Sequence, residues 1–434
     1  MILEKEYKKR RDILAKSLKQ NSIAVIFSAK YKTRSNDTQY PFRQDSNFYY
    51  LSGFKEDNSS LILIKIKNKI KTFLFVAKKD AKKELWSGKR LGEIEAKKRF
   101  LVDEVYTSDK FEEILKKEIM KCKTLYFDFS LDYSKVKILK RYAKQLSTHK
   151  NLSLHVEKMR LIKSKAEIKL IKKAISITKE AHHKAMSYNK IDKNEYELQS
   201  EIEYSFKSAG AYSDAYTSIV ACANSANTLH YIENNKKLID KKLILIDAGC
   251  EYEYYASDIT RTIPVNGKFT EPQKDLYNLV LSVNEAIIKM IKPNVKRSEL
   301  QNKAVELLTK GMIKFGILKG SYKKLIKKQK YKKYYPHGIG HWMGLDVHDM
   351  APYTDKNNNE IVLKKGMVLT IEPALYMDEN DKDIPLKYRG IGIRIEDDIL
   401  VTKDGYKNLS KDIAKSIKEV EYISLISIAI CPTS

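Results

Sequence analysis

Leu243-Ile-Leu-Ile-Asp247-Ala-Gly-Cys-Glu-Tyr-Glu-Tyr-Tyr-Ala-Ser-Asp258-Ile-Thr-Arg-Thr-Ile-Pro264 is the stretch whose reading decides the fold. An apolar run ends on Asp247, a turn passes through Glu251 to Tyr255, and a second run opens on Asp258 and continues to Pro264. Two such runs predict a hairpin-like strand pair, which can bring the two carboxylates together. A carboxylate in a buried strand is costly unless it is paired or coordinated. Taken singly, each acid reads first as a core group satisfied by hydrogen bonds.

Two further acids repeat the pattern downstream. Glu372 closes Met367-Val-Leu-Thr-Ile, and Glu396 interrupts the apolar run of Gly392-Ile-Arg-Ile-Glu-Asp-Asp-Ile. Strands are therefore expected over Val368 to Glu372 and Ile393 to Val401, with helices over Pro272 to Ile291 and Ser298 to Phe315. Between the helices and these strands lies His337-Gly-Ile-Gly-His341-Trp-Met-Gly-Leu-Asp-Val-His348, which holds three of the chain's eight histidines. Its glycines allow the backbone to approach something bound. Several carboxylates with one imidazole suit a pair of divalent ions such as Mn²⁺, whereas thiolate-rich structural zinc is disfavoured. Four acids and one neutral histidine balance two dications in charge.

Upstream, apolar runs at Ile23 to Phe27, Leu61 to Ile66, Phe73 to Ala77 and Leu125 to Phe129 read as strands of a mixed sheet, and Lys8 to Leu18 as a helix. Near Arg160 the pattern changes. Ser164-Lys-Ala-Glu167 is a capping box, followed by Ile168, Ile171 and Ile175 at helical spacing. The division expected is an α/β domain over 1–160, a second domain over 161–420, and an apolar tail over 421–434 suited to a surface or oligomer contact.

Of the 434 residues, 43% are apolar and 32% charged, a composition for two globular domains and not for a disordered chain. The apolar runs fall short of the roughly 20 residues that a membrane-spanning helix needs. The charged first residues lack the apolar stretch of a signal peptide, so a cytoplasmic location is expected. Cys122, Cys222, Cys250 and Cys431 have no CxxC spacing and read as reduced thiols. A net charge of +27 raises the question of nucleic acid, yet the lysines are scattered from end to end without interleaved aromatics. No specific nucleic-acid partner is expected.

Together, Asp247-Ala-Gly, Ser257-Asp-Ile-Thr-Arg-Thr262, the HGIGHWMGLDVH segment, Thr370-Ile-Glu-Pro373 and Gly390-Ile-Gly-Ile-Arg-Ile-Glu-Asp-Asp398 resemble the Xaa-Pro aminopeptidase (aminopeptidase P) branch of the pita-bread metallopeptidases. The segments Thr33 to Phe54 and Leu85-Trp86-Ser-Gly-Lys-Arg-Leu-Gly92 extend the resemblance into the first domain. It implies an α/β N-terminal domain of the creatinase/prolidase type and an α+β pita-bread catalytic domain. It also implies a dinuclear site, usually two Mn²⁺ with Co²⁺ or Zn²⁺ as alternatives, held by Asp247, Asp258, His341, Glu372 and Glu396. Asp258 and Glu396 would bridge ions roughly 3.5–4 Å apart.

The implied reaction is attack of a metal-bridging hydroxide on the Xaa-Pro bond, with Glu372 as general base and acid. His230 and His348 match histidines that contact the substrate carbonyl, and His337 matches one lining the proline subsite. Arg394, two residues before Glu396 on the expected strand, would hold Asp247 or the substrate, with a plain ion pair as the alternative. Tyr216 matches a tyrosine close to one metal, against a packing role. Trp86 matches a residue that reaches a neighbouring subunit's active site, which implies a homodimer or homotetramer; the alternative is a core tryptophan.

Two departures stand out: Ala374 replaces a glycine after Glu372-Pro, and Ala221-Cys-Ala-Asn-Ser-Ala-Asn227 replaces a more glycine-rich loop. The nearest rival is a prolidase, separated by the room beyond the proline. Methionine aminopeptidases generally lack so large a first domain. A noncatalytic pita-bread binding protein is disfavoured by the intact ligand set.

Overall fold

The computed structural model describes residues 2–430 apart from 145, 147 and 189, with side chains through Ser424. It divides into two units, Met1–Met159 and Arg160–Ser434. The first is built on a six-stranded mixed sheet in the order Glu104–Thr107, Lys69–Val76, Ser60–Ile66, Ser22–Phe27, Thr124–Phe127, Thr148–Asn151. Ser60–Ile66 runs antiparallel to both neighbours, and the three outer pairings are parallel. Central strands covered on both faces read as continuous apolar runs, and Leu61 to Ile64 are all buried. Glu104–Thr107 and Thr148–Asn151 carry no apolar run, so they are edge strands that the sequence pattern does not reveal.

The second unit opens at the capping box. Ser164 Oγ accepts from the Glu167 N–H at 3.2 Å, and Glu167 Oε2 accepts from the Ser164 N–H at 2.9 Å, starting the Lys165–Ser187 helix. Leu243–Asp247 lies between Ile219–Cys222 and Thr260–Pro264, antiparallel to both, with Asp247 opposite Thr260. The second strand of the deciding stretch thus starts at Thr260, two residues later than expected. The intervening turn is itself a small hairpin, Cys250–Tyr252 with Tyr255–Ala256. A Cβ on Gly249 would lie 1.9 Å from the Ser257 carbonyl oxygen, so only glycine lets the chain cross itself between the two acids.

The downstream strands need a larger correction. Each expected strand stops at its acid. Val368–Ile371 pairs antiparallel with Asp397–Val401, while Ala374–Met377 pairs antiparallel with Ile391–Arg394 in a different sheet. Ile393 to Val401 is therefore two strands, and Arg394 and Glu396 do not share one. Pro373 has no N–H to offer a ladder, which is one reason the hairpin breaks there. Both registers, continued through the break, set Glu372 opposite Glu396.

Most backbone groups at that break find partners outside the ladder. The Glu372 N–H donates to Ile339 O at 2.9 Å and the Glu396 N–H to Thr260 O at 3.1 Å. The carbonyls of Ile371 and Ile395 both accept from the side-chain amide of Asn284, at 3.0 and 3.3 Å. Asn284 is buried on the inner face of Glu271–Met290, which is apolar around it, beside Val280, Val283 and Ile287. It stitches together two strands that no longer pair directly.

Both departures are accommodated. Ala374 pairs with Arg394 in strand geometry, so its methyl costs nothing in backbone conformation. Ala223 takes a left-handed φ of 52°, a conformation worth roughly 1–2 kcal/mol of strain for a residue with a Cβ. The Ile417–Ile430 helix runs across residue 420 and buries Val420 and Ser424; the side chains of 425–430 and all of 431–434 lie outside the described residues.

Candidate metal centre

A cavity of about 690 Å³ in the second unit is lined by Asp247, Asp258, His341, Glu372 and Glu396 together with Tyr216, His230, His337, His348 and Arg394. Ligand atoms of Asp258, His341 and Glu396 all lie within 4.8 Å of one another. His341 Nε2 stands 3.2 Å from Asp258 Oδ2 and 4.0 Å from Glu372 Oε1. Asp247 is held from both sides, by the Tyr216 hydroxyl on Oδ1 at 2.5 Å and by Arg394 Nη2 on Oδ2 at 2.6 Å.

The charges explain why a cation fits. Burial pushes the Glu396 carboxyl well above its usual range, and the charges of Asp258, Glu372 and Asp247 add to the shift. Burial likewise raises Glu372 to about 7 and raises Asp247, with His341 and Arg394 opposing at Glu372 and Arg394 opposing at Asp247. His341 moves the other way. Its burial disfavours a charged ring, but the hydrogen bond and charge of Asp258, with Glu372, lift it to about 9.

A proton between His341 Nε2 and Asp258 thus occupies the place a cation would take. The ring's Nδ1 lies 3.0 Å from Trp342 O, which assigns its hydrogen to that nitrogen and leaves Nε2 for the centre. Oxygen donors with one imidazole, mutually repelling and short of positive charge, match a divalent cation.

Arg394 ties the cluster together. Its Nε donates to Thr260 Oγ1 at 3.1 Å, and that hydroxyl donates to Glu396 Oε2 at 2.7 Å. Its Nη1 donates to the Tyr376 hydroxyl at 2.7 Å, which stands 2.9 Å from His337 Nε2. His337 Nδ1 lies 2.8 Å from Gly338 O, so this nitrogen carries the hydrogen and Nε2 accepts from Tyr376. The ring is accordingly neutral, burial and the Arg394 charge lowering it to about 4.

His230 and His348 are exposed in the cavity wall, and neither makes a side-chain hydrogen bond among the described residues. The His348 ring stands 4.2 Å from that of His341. Its backbone is fixed next door: Asp349 N–H donates to Trp342 O at 2.8 Å, and the Asp349 carboxylate receives Arg160 at 2.5 Å and Lys163 at 2.9 Å. A Cβ on Gly344 would press against both Lys163 and Asp349, so glycine is required where the loop meets this ion cluster.

Several supporting residues escaped the sequence reading. Arg261, fully buried, donates to Asp397 at 2.9 Å and to the carbonyl of Glu396 at 2.6 Å; Lys415 meets Asp397 at 2.6 Å and Asn284 Oδ1 at 2.9 Å. Asp398 accepts from the Asp258 N–H at 3.1 Å. Asn284 alone left a signal, a polar residue on an apolar helical face. Trp86 belongs to the first unit, where it is 90% exposed on the Ala81–Ser87 helix, which buries no side chain. The core alternative for it fails.

Among known proteins, the model of metallopeptidase family M24 matches residues 169–403, and that of the aminopeptidase P N-terminal domain matches 7–126. Xaa-Pro aminopeptidase of Haemophilus influenzae is 40% identical, with 96% of each chain covered, and that of Escherichia coli 37% identical, with 97% of each covered. The structure of zinc-substituted E. coli aminopeptidase P with product superposes with a TM-score of 0.95 at 36% identity, covering 98% of this chain and 99% of that one.

Proposed function

This chain belongs to metallopeptidase family M24, and from that premise we propose that its activity runs through two Mn²⁺ ions held by Asp247, Asp258, His341, Glu372 and Glu396. The activity itself is that of an Xaa-Pro aminopeptidase, release of the N-terminal residue from peptides with proline in second position. The observation that carries the reading is the convergence of Asp258, His341 and Glu396 within 4.8 Å among buried, charge-starved acids. Co²⁺ or Zn²⁺ would suit the same donors.

Divalent ions bound there would supply an activated water and an electrophile for the scissile carbonyl. The chain's own groups do the rest. Glu372 takes the proton of the attacking water at a carboxylate oxygen and passes it to the departing proline nitrogen. His230 and His348 donate to the carbonyl oxygen as its charge develops. Neutral His337, held by Tyr376, lines the proline side, and Arg394 with Tyr216 fixes Asp247. A tertiary amide suits such a site because it presents no N–H that would need a partner.

The exposed Leu85 and Trp86, 83% and 90%, support assembly into a homodimer or homotetramer in which Trp86 meets a second copy. Free, buried Cys122, Cys222 and Cys250 support a reducing, cytoplasmic location. No helix among the described residues is long and apolar enough to cross a membrane. The test is Mn²⁺-dependent hydrolysis of a matched Xaa-Pro dipeptide and Xaa-Pro-Xaa tripeptide with a chelator control. Tripeptide cleavage abolished by chelation is expected; dipeptide-only cleavage would make the chain a prolidase, and cleavage of neither would favour a binding role.

A further inference from the structure

Arg297, the first residue of the Arg297–Lys314 helix, lines the catalytic cavity and has no part in the chemistry described above. Its Nη2 donates to the carbonyl of Gly340, the residue before His341. Its guanidinium lies 4.3 Å from the Tyr353 ring centroid and 5.7 Å from that of Trp342, two rings stacked on each other. Aromatic faces and one carbonyl hold this cation in place, yet they satisfy few of its five N–H donors. Nε is buried without a partner.

Fully buried arginines elsewhere in this unit each meet a carboxylate: Arg160 meets Asp349, Arg261 meets Asp397 and Arg394 meets Asp247. Arg297 meets none within ion-pair distance among the described residues. Nearby Glu360 has its two oxygens engaged by the backbone and hydroxyl of Ser298. Arg297 is only partly buried, and Glu360 and Glu372 reach it only through space, so its unpartnered Nε and open donors would gain from a carboxylate that visits the cavity.

We propose that Arg297 is a specificity residue that binds a carboxylate of the peptide substrate, downstream of the proline. The inference rests on the Xaa-Pro reading of the site. In a tripeptide the terminal carboxylate lies about 7 Å beyond the scissile bond, two residues of extended chain. An acidic side chain at the third position would present the same chemistry. Arg297 is a fork-shaped donor suited to bidentate capture of either.

Three substrates separate the outcomes, Ala-Pro-Ala, Ala-Pro-Ala amide and Ala-Pro-Glu amide, with the dipeptides Pro-Leu, Pro-Leu amide and Pro-Glu amide as a binding set. With Mn²⁺ present, the carboxylate-bearing substrate should be preferred by about tenfold or more, chiefly through KM. Preference for Ala-Pro-Ala identifies the chain terminus, and preference for Ala-Pro-Glu amide identifies the side chain. Arg297→Gln should erase the preference and Arg297→Lys restore part of it. Equal use of all three by the wild-type protein, a comparison that needs no variant, would overturn the proposal. So would an Arg297→Gln enzyme that keeps the preference. Cleavage of none would break the peptidase reading alone. Calorimetric binding of Pro-Leu and of Pro-Glu amide, each against Pro-Leu amide, then decides Arg297 separately, equal affinity of all three overturning it.

Discussion

The acid wall of the cavity stands on strand ends tied in from behind by Asn284, Arg261, Lys415 and Asp398. Elsewhere in the lining, His230 and His348 project from loops, exposed and without side-chain hydrogen bonds among the described residues. The first wall is set by register and kept in place against its own electrostatic repulsion. The imidazoles of the second have no such ties, although the backbone beside His348 is pinned through Asp349. This difference separates what stability experiments and turnover experiments should report.

The largest effect is expected from Glu396→Gln or Asp258→Asn. Activity should fall by more than the roughly 100-fold upper end seen for residues behind metal ligands. The metal-free melting temperature of Glu396→Gln should nevertheless rise at pH 8, because the folded protein no longer has to hold an acid among like charges, whether protonated or charged. A drop instead would mean that the acid wall is not strained. Next comes His348→Ala, for which kcat should fall about 10²–10³-fold. Its stability should stay within about 0.5 kcal/mol of wild type, as for a surface change; a large loss of stability would erase the contrast between the walls.

Asn284→Leu should act on both readouts at once. It orphans the Ile371 and Ile395 carbonyls and should cost about 2 kcal/mol or more in denaturant unfolding. Activity should fall about 10–100-fold as the acids shift.

The smallest effect is in pH. Glu372, Asp247 and Glu396 bind protons more tightly folded than unfolded, and so does His341, at about 9 against an unfolded value near 6.5. The folded state therefore holds more protons, and stability falls as pH rises. His337, lowered to about 4, opposes the trend only until the unfolded ring has lost its proton, by about pH 7.5, and Lys190, lowered by burial to about 8, opposes it only towards pH 9; the four raised groups of the cluster outweigh them. The metal-free protein should lose melting temperature between pH 6.5 and 9, and saturating Mn²⁺ should flatten that slope. An unchanged slope with metal would place the ions elsewhere.

What the sequence revealed follows from the same division. Asp247, Asp258, Glu372 and Glu396 were visible because each ends or interrupts an apolar run, and the glycine-spaced histidines because they cluster. The break opposite Glu372 was not, since Ile393 to Val401 keeps its apolar pattern through the change of sheet. Edge strands without apolar runs were hidden for the complementary reason. Thr260, Tyr376, Arg261 and Arg297 act through hydrogen bonds to partners far along the chain, which leave no periodic trace. Arg297 is further masked as one cation among 82.

The account stands most directly on the number of ions that the acid wall holds. Titrating metal-stripped protein with Mn²⁺, while following both bound metal and hydrolysis of an Xaa-Pro-Xaa tripeptide, should give activity that saturates at two ions per chain and is lost on chelation. Saturation at a single ion, or full turnover by the metal-stripped protein, would contradict it.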